Sequence, residues 1–237
     1  MSRINYVLAL LLTVAAFAAD GAFDAASGGI DGCWSSVTAN AGVVLVCPMG
    51  DGDPLTAPIG GGNCQITLTV RGIGGPIAGL PATDMWLVGC NDGLLLCGGT
   101  QGANADAVTD ASGVTTFSND PVAGGCDTGL WAVVQGVVVT DLDRCSPTRL
   151  PIAARSPDYK SSGAPGTSPC SGDIRCPDGR VSNADFSWFV THFPTGANPG
   201  VTYLACADYA APLGAIGLAD FARFTVHFAG AGHKCLI

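Results

Sequence analysis

Glutamate is absent from this chain: all 19 acidic residues are aspartate, and lysine occurs only at Lys160 and Lys234. Two of the best surface helix formers are thereby nearly removed, which excludes an architecture of long solvent-exposed helices. Histidine is also scarce, and His192, His227 and His233 all lie near the C-terminal end. A Ser-His-Asp arrangement has no histidine to use in the first three quarters of the sequence. GxSxG, HExxH and P-loop phrases are missing, and a glycosidase pair would have to be two aspartates that nothing singles out. No CxxC occurs, and no cysteine pair has finger-like histidine spacing, which argues against a zinc finger. Together these absences point away from an enzyme. Positive charge is short as well: ten Lys and Arg against 19 Asp leave a net charge of −9. Such a surface repels nucleic-acid backbones and anionic membranes, so both are excluded as partners.

What is abundant is glycine (34) and proline (15), with only 12% charged residues. That mixture favours short strands and many turns. At the N-terminus, Arg3 precedes an apolar run from Val7 to Phe17, and Ala16 and Ala18 stand where a leader peptidase takes small residues. This reads as a signal peptide over residues 1–18, too short to span a bilayer comfortably, followed by an N-terminal segment over 19–34. The mature chain is expected to be secreted, extracellular or on the cell surface, with no membrane insertion after cleavage. All 11 cysteines follow the cut, as suits an oxidising compartment, and their odd number leaves at least one without an intrachain disulfide. Spacing suggests Cys90 with Cys97, Cys126 with Cys145, Cys170 with Cys176, and Cys206 with Cys235 as disulfide candidates.

Alternation dominates residues 35–154. "QITLTVRG" (Gln65 to Gly72), "DMWLVGC" (Asp84 to Cys90), "GVTTFSN" (Gly113 to Asn119) and "LWAVVQGVVVTD" (Leu130 to Asp141) read as strands. Short strands separated by Gly, Pro, Asn and Asp clusters predict a mainly β domain, a sandwich of two antiparallel sheets. Asp110 to Gly113 supplies a tight turn, with Gly113 free to take positive φ. The phrases "ITLTVRGIGGPIAGLPATDMWL" and "TDASGVTTFS" resemble bacterial immunoglobulin-like domains of the invasin and intimin sort. That resemblance implies a rod, spacer or adhesive module without catalysis.

Residues 155–172, "RSPDYKSSGAPGTSPCSG", read as a linker. After it come two near-copies of one phrase, "ADFSWFVTHF" (Ala184 to Phe193) and "ADFARFTVHF" (Ala219 to Phe228). Ser182 stands three residues before Asp185 as a capping-box start, and Phe186, Phe189, Val190 and Phe193 follow at helical spacing. Phe221, Phe224, Thr225 and Phe228 repeat the stripe, with Pro194 and Gly230 as stops. Two such stripes facing each other form a small core.

Before each helix lies a loop of similar design, "DIRCPDGRVSNAD" (Asp173 to Asp185) and "DYAAPLGAIGLAD" (Asp208 to Asp220). Loops and helices over residues 173–237 resemble a dockerin module, a pair of shortened EF-hand repeats. The resemblance implies a small α-helical docking domain, with a cohesin-like or cell-surface protein as partner. A calcium loop takes oxygen ligands at its first, third, fifth and twelfth positions with glycine sixth. Counting back from Asp185 puts Asp178 fifth and Gly179 sixth, but Ile174 first and Cys176 third. In the second loop Tyr209, Ala211 and Leu213 hold ligand positions. The second loop is therefore expected to be calcium-free. The first is expected to hold no cofactor or one weakly bound calcium, through Asp173, Asp178, Ser182 and Asp185. On the helices, Trp188, His192, Arg223 and His227 are the candidate partner-binding residues, with Trp188 equally suited to extend the core. The leading reading is a secreted, non-catalytic protein joining an immunoglobulin-like module to a docking module. A structural or adhesin-like surface protein with a disulfide-bonded cap, and a cryptic hydrolase, stand as alternatives.

Overall fold

The computed structural model describes residues 35–72, 74–91, 93–98, 102–139, 148–159, 177–194 and 204–228. Strands dominate. Three of them, β1 (Ser36–Thr38), β3 (Ile66–Thr69) and β8 (Val114–Phe117), form an antiparallel sheet in the order β1-β3-β8. A second sheet orders β11 (Val137–Val138), β10 (Leu130–Val134) and β6 (Met85–Gly89). The third orders β2 (Gly42–Leu45), β12 (Ile152–Arg155), β9 (Ala123–Asp127) and β7 (Leu94–Leu96), with β2 and β12 parallel. β4 (Arg71–Gly72) and β5 (Gly75–Pro76) make a two-residue ribbon.

Alternating side chains from all three sheets fill one core: Ile66, Leu68 and Phe117, then Met85, Leu87 and Leu130, then Val44, Ile152 and Ala154. The expected turn at Asp110 is present. Asp110 Oδ1 accepts from the amides of Ser112 and Val114, and Gly113 sits at φ +74° with no room for a side chain against the Val70 carbonyl. The run Leu130 to Asp141, expected as one strand, is instead a hairpin. Gln135 (φ +47°) and Gly136 (φ +86°) turn it, the paired positive φ values that suit a two-residue connection.

The third sheet is covered on both faces. In β2, Val44 enters the first core while Leu45, next in sequence, joins a second one. Ala154 and Arg155 divide in the same way on β12, since Arg155 bonds to Asp208 of the C-terminal region. The second core belongs to the helices α1 (Asn183–Val190) and α2 (Leu218–Phe228) and gathers Leu45, Ile59, Cys126 and Tyr159 with Val181, Trp188, Phe189, Tyr209, Ile216 and Phe224. Phe189 stacks on Phe224 at 4.9 Å between ring centroids and on Tyr209 at 5.9 Å. The phenylalanine stripes do face each other, but Val190 is exposed and is not part of the stripe.

Two expectations about organisation are corrected. The stretch beginning at residue 155 does not start as a linker: Arg155 ends β12, and Arg155, Ser156, Asp158 and Tyr159 are buried against the helices. The disulfides also differ. Cys126 pairs with Cys206, which removes both Cys126–Cys145 and Cys206–Cys235. Cys90 is a free thiol and Cys97 is disulfide-bonded, so the Cys90–Cys97 bridge is not formed. Spacing along the chain pointed to local pairs, whereas the observed bridge joins a strand of the third sheet to the turn between the helices. The Cys170–Cys176 candidate lies outside the described residues, as do the signal peptide and the segment 19–34.

Candidate functional site

The two helix-entry loops share a hydrogen-bond plan. Asp185, at the third position of α1, accepts from the Tyr159 amide through Oδ1 at 2.7 Å and from the Ser182 amide through Oδ2 at 2.7 Å. Ser182 Oγ accepts from the Ala184 amide, completing the expected capping box. Asp220 repeats this in α2, with Oδ1 taking the Tyr209 and Ala210 amides and Oδ2 the Gly217 amide. Upstream, Asp158 Oδ2 accepts from Gly179 and Asp208 Oδ2 from Gly214, both glycines at positive φ.

The structural repeat is therefore Asp158-Tyr159…Gly179…Val181…Asp185 against Asp208-Tyr209…Gly214…Ile216…Asp220. Asp158, not Asp173, is the counterpart of Asp208. The first copy carries an insertion between Tyr159 and Gly179, which displaced the register read from the sequence; Asp173 itself lies outside the described residues. The doubled "DY" was the available signal.

Among the described residues of these loops, the carboxylates are already engaged by other groups. In the second, the Arg155 guanidinium lies 3.5 Å from Asp208 Oδ2 and donates to the Asp208 carbonyl oxygen, supplying positive charge where a metal would. The three backbone amides on Asp220 use its acceptor positions. In the first loop, Ser182 Oγ donates to Asp185 and Asp178 Oδ1 accepts from the Arg180 amide. The carboxylates serve the backbone, and among the described residues Asp178, Ser182 and Asp185 do not assemble an oxygen cage. Of the four residues expected to hold a weak calcium, Asp178, Ser182 and Asp185 are engaged in these hydrogen bonds, and Asp173 lies outside the described residues.

Burial and the nearby Asp185 charge push Asp158 up to about 8, with the Asp178 and Gly179 amides opposing the shift. Because the folded-state value lies above the ordinary 3.8, the folded protein holds a proton that the unfolded chain has lost throughout that interval. This contribution to stability is complete below about pH 4 and is lost as pH rises through about 8. Asp120 and Asp220 are raised by burial too and add in the same direction. The melting temperature is expected to fall between pH 5 and pH 8, with Asp158→Asn flattening the profile; a flat wild-type profile would refute the assignment.

The four candidate partner-binding residues do not form one exposed face. Trp188 is 8% exposed and stacks on Tyr159 at 3.8 Å, so it belongs to the core, the other role its position allowed. His192 is half-buried, with Nδ1 3.0 Å from the Trp188 carbonyl oxygen. Arg223 pairs with Asp53, and His227, only 4% exposed, points at Asp51. Both aspartates belong to the loop after β2. Sequence reasoning separated the histidines from the β-domain; packing brings one back to it.

For small ligands, the β-domain has a cleft of about 340 Å³ lined by Leu55, Leu87, Asn104, Phe117, Asp120 and Val122 among others. Its lining offers one carboxylate and no His, Ser or Cys, so no nucleophile–base pair is present there. No helix among the described residues is long and apolar enough to cross a membrane. No family model matches the chain, and no curated protein or solved structure is significantly similar to it.

Proposed function

We propose that this is an exported, non-catalytic structural or adhesive surface protein, an immunoglobulin-like sandwich whose C-terminal repeat pair serves as a built-in cap. The observation that carries the reading is the third sheet, whose outer face is buried under the helices and stapled to them by Cys126–Cys206. A docking arm would keep its recognition side chains free and join its neighbour through a loose tether. Here Trp188 and His227 are buried, Arg223 is engaged, and the residues expected to begin the tether are packed. The acidic surface supports the absence of nucleic-acid partners, and the cleft, with the Asp120 carboxylate but no nucleophilic side chain beside it, gives no positive sign of covalent catalysis.

Calorimetry of the full oxidised chain tests the reading. One cooperative transition is expected, with calorimetric and van't Hoff enthalpies equal, because neither part buries its apolar surface alone. Two separable transitions would favour an independent docking arm. That second reading has one observation of its own: Val190, Leu218 and Val226 are large apolar side chains left exposed on the helices, open to a protein partner.

A further inference from the structure

Cys47, Asp51 and His227 converge where the loop after β2 meets the last turn of α2. Their thiol, carboxylate and imidazole ligand atoms all lie within 4.8 Å of one another. The loop is folded to make this happen. Gly50 donates its amide to the Cys47 carbonyl at 3.0 Å and sits at φ +76°, closing a tight turn begun by Pro48. Asp53 donates to the Leu45 carbonyl at 2.7 Å, and a side chain at Gly52 would collide with that same carbonyl. The chain is thus doubled back so that the Asp51 carboxylate lies within 4.8 Å of the Cys47 thiol. From the other side, α2 presents two side chains one turn apart: Arg223 grips Asp53, and His227 Nδ1 stands 3.4 Å from Asp51 Oδ1.

We propose that Cys47, Asp51 and His227 bind one zinc-class transition-metal ion, with water as the fourth ligand, and that the ion clamps α2 to the loop after β2. The donor set selects the metal class. A thiolate, an imidazole and a carboxylate suit zinc and its neighbours, whereas calcium and magnesium call for oxygen ligands throughout. Spacing agrees: metal–ligand bonds of about 2.0–2.3 Å in a tetrahedron place donor atoms about 3.3–3.8 Å apart. The Asp51–His227 edge already has that length, and Cys47 Sγ needs only a small approach. Access is one-sided, since Cys47 and His227 are buried while the Asp51 side chain is 44% exposed, leaving an entry path and room for the water. The field is favourable too, because Asp120 stands beside Asp51 and the site adjoins the C-terminal turn of a helix, while the charge of Asp53 is offset by Arg223. On binding, the metal–sulfur bond forms as the Cys47 S–H breaks, and the proton leaves to solvent.

This inference goes beyond the cap reading and is tested separately from it, by metal binding to the intact chain. The experiment titrates metal-free, disulfide-intact protein with Co²⁺, which reports thiolate ligation through its charge-transfer absorption and tetrahedral geometry through its d–d bands. One equivalent of Co²⁺ is expected, displaced by Zn²⁺, with the charge-transfer band lost in Cys47→Ser and retained in Cys90→Ser. Asp51→Asn, at a half-exposed side chain, is expected to leave the metal-free protein folded and to weaken Zn²⁺ binding at least about tenfold. This variant decides the matter if Cys47→Ser fails to fold. No charge-transfer band at saturating Co²⁺, or one that survives Asp51→Asn with unaltered affinity, overturns the proposal.

Discussion

Arg155→Ala is expected to destabilise the protein by about 3–5 kcal/mol, because it strands a buried charge. The Asp208 side chain is fully buried and that of Arg155 is 9% exposed. A surface pair of this kind would contribute at most about 1 kcal/mol, since water compensates each partner when the other is removed. Buried, the carboxylate keeps the Gly214 amide but loses its counter-charge. The comparison that isolates this effect is the double variant Arg155→Met/Asp208→Asn, which removes both charges and is expected to recover at least half of the loss. Midpoints of guanidinium denaturation read both numbers. A loss below about 1 kcal/mol for Arg155→Ala would mean that water reaches the junction between the third sheet and the helices.

Removing the Cys126–Cys206 bridge by paired alanine substitution is expected to have an effect of similar size by a different route. The bridge closes a sequence separation of 80 residues. Loop-closure entropy for a ring of that size amounts to about 4.5 kcal/mol at 25 °C when no other cross-link constrains the same chain. A loss of about 4 kcal/mol is therefore expected, with native packing unchanged. Unlike the Arg155 change, this one acts chiefly on the unfolded chain, so urea denaturation should show a larger slope together with a lower midpoint. An unchanged slope with a loss under about 1 kcal/mol would show that packing alone holds the helices in place.

Local features were legible in the sequence because their causes are local. The capping box at Ser182 and Asp185 and the turn from Asp110 to Gly113 each depend on side chains within a few residues of the amides they bind. Strands such as Ile66–Thr69 and Val114–Phe117 were readable from β-branched alternation. By contrast, β9 (Ala-Gly-Gly-Cys-Asp) and β12 (Ile-Ala-Ala-Arg) are covered on both faces and pack closely, so small residues replace the alternation that marks a half-buried strand. Their neighbours explain the glycines: a side chain at Gly124 would strike the Asp158 carboxylate, and one at Gly125 the Gly93 carbonyl. The absence of glutamate also gains a physical meaning. Asp106, Asp127, Asp158, Asp185 and Asp220 all use a short side chain to accept backbone amides in turns and helix starts, a reach for which one more methylene is too long. What could not be read was the meeting of distant segments. Arg155 with Asp208, Cys126 with Cys206, and His227 with Asp51 are set by how the helices dock on the third sheet, and no spacing within one segment encodes that.

For a protein held at one end and pulled at the other, the Cys126–Cys206 bridge decides which residues feel the load. Tension arriving along α2 crosses from Cys206 to Cys126 through a covalent bond and enters β9 directly. Everything between the two cysteines, including β10, β11, β12 and α1, lies off the line of force and stays slack while the flanking segments are drawn out. At about 3.3–3.6 Å per extended residue, the 80-residue separation amounts to roughly 270 Å of chain that cannot be paid out until the disulfide is reduced. The bridge acts as a stop on extension, and its redox state sets whether that stretch can lengthen under pull.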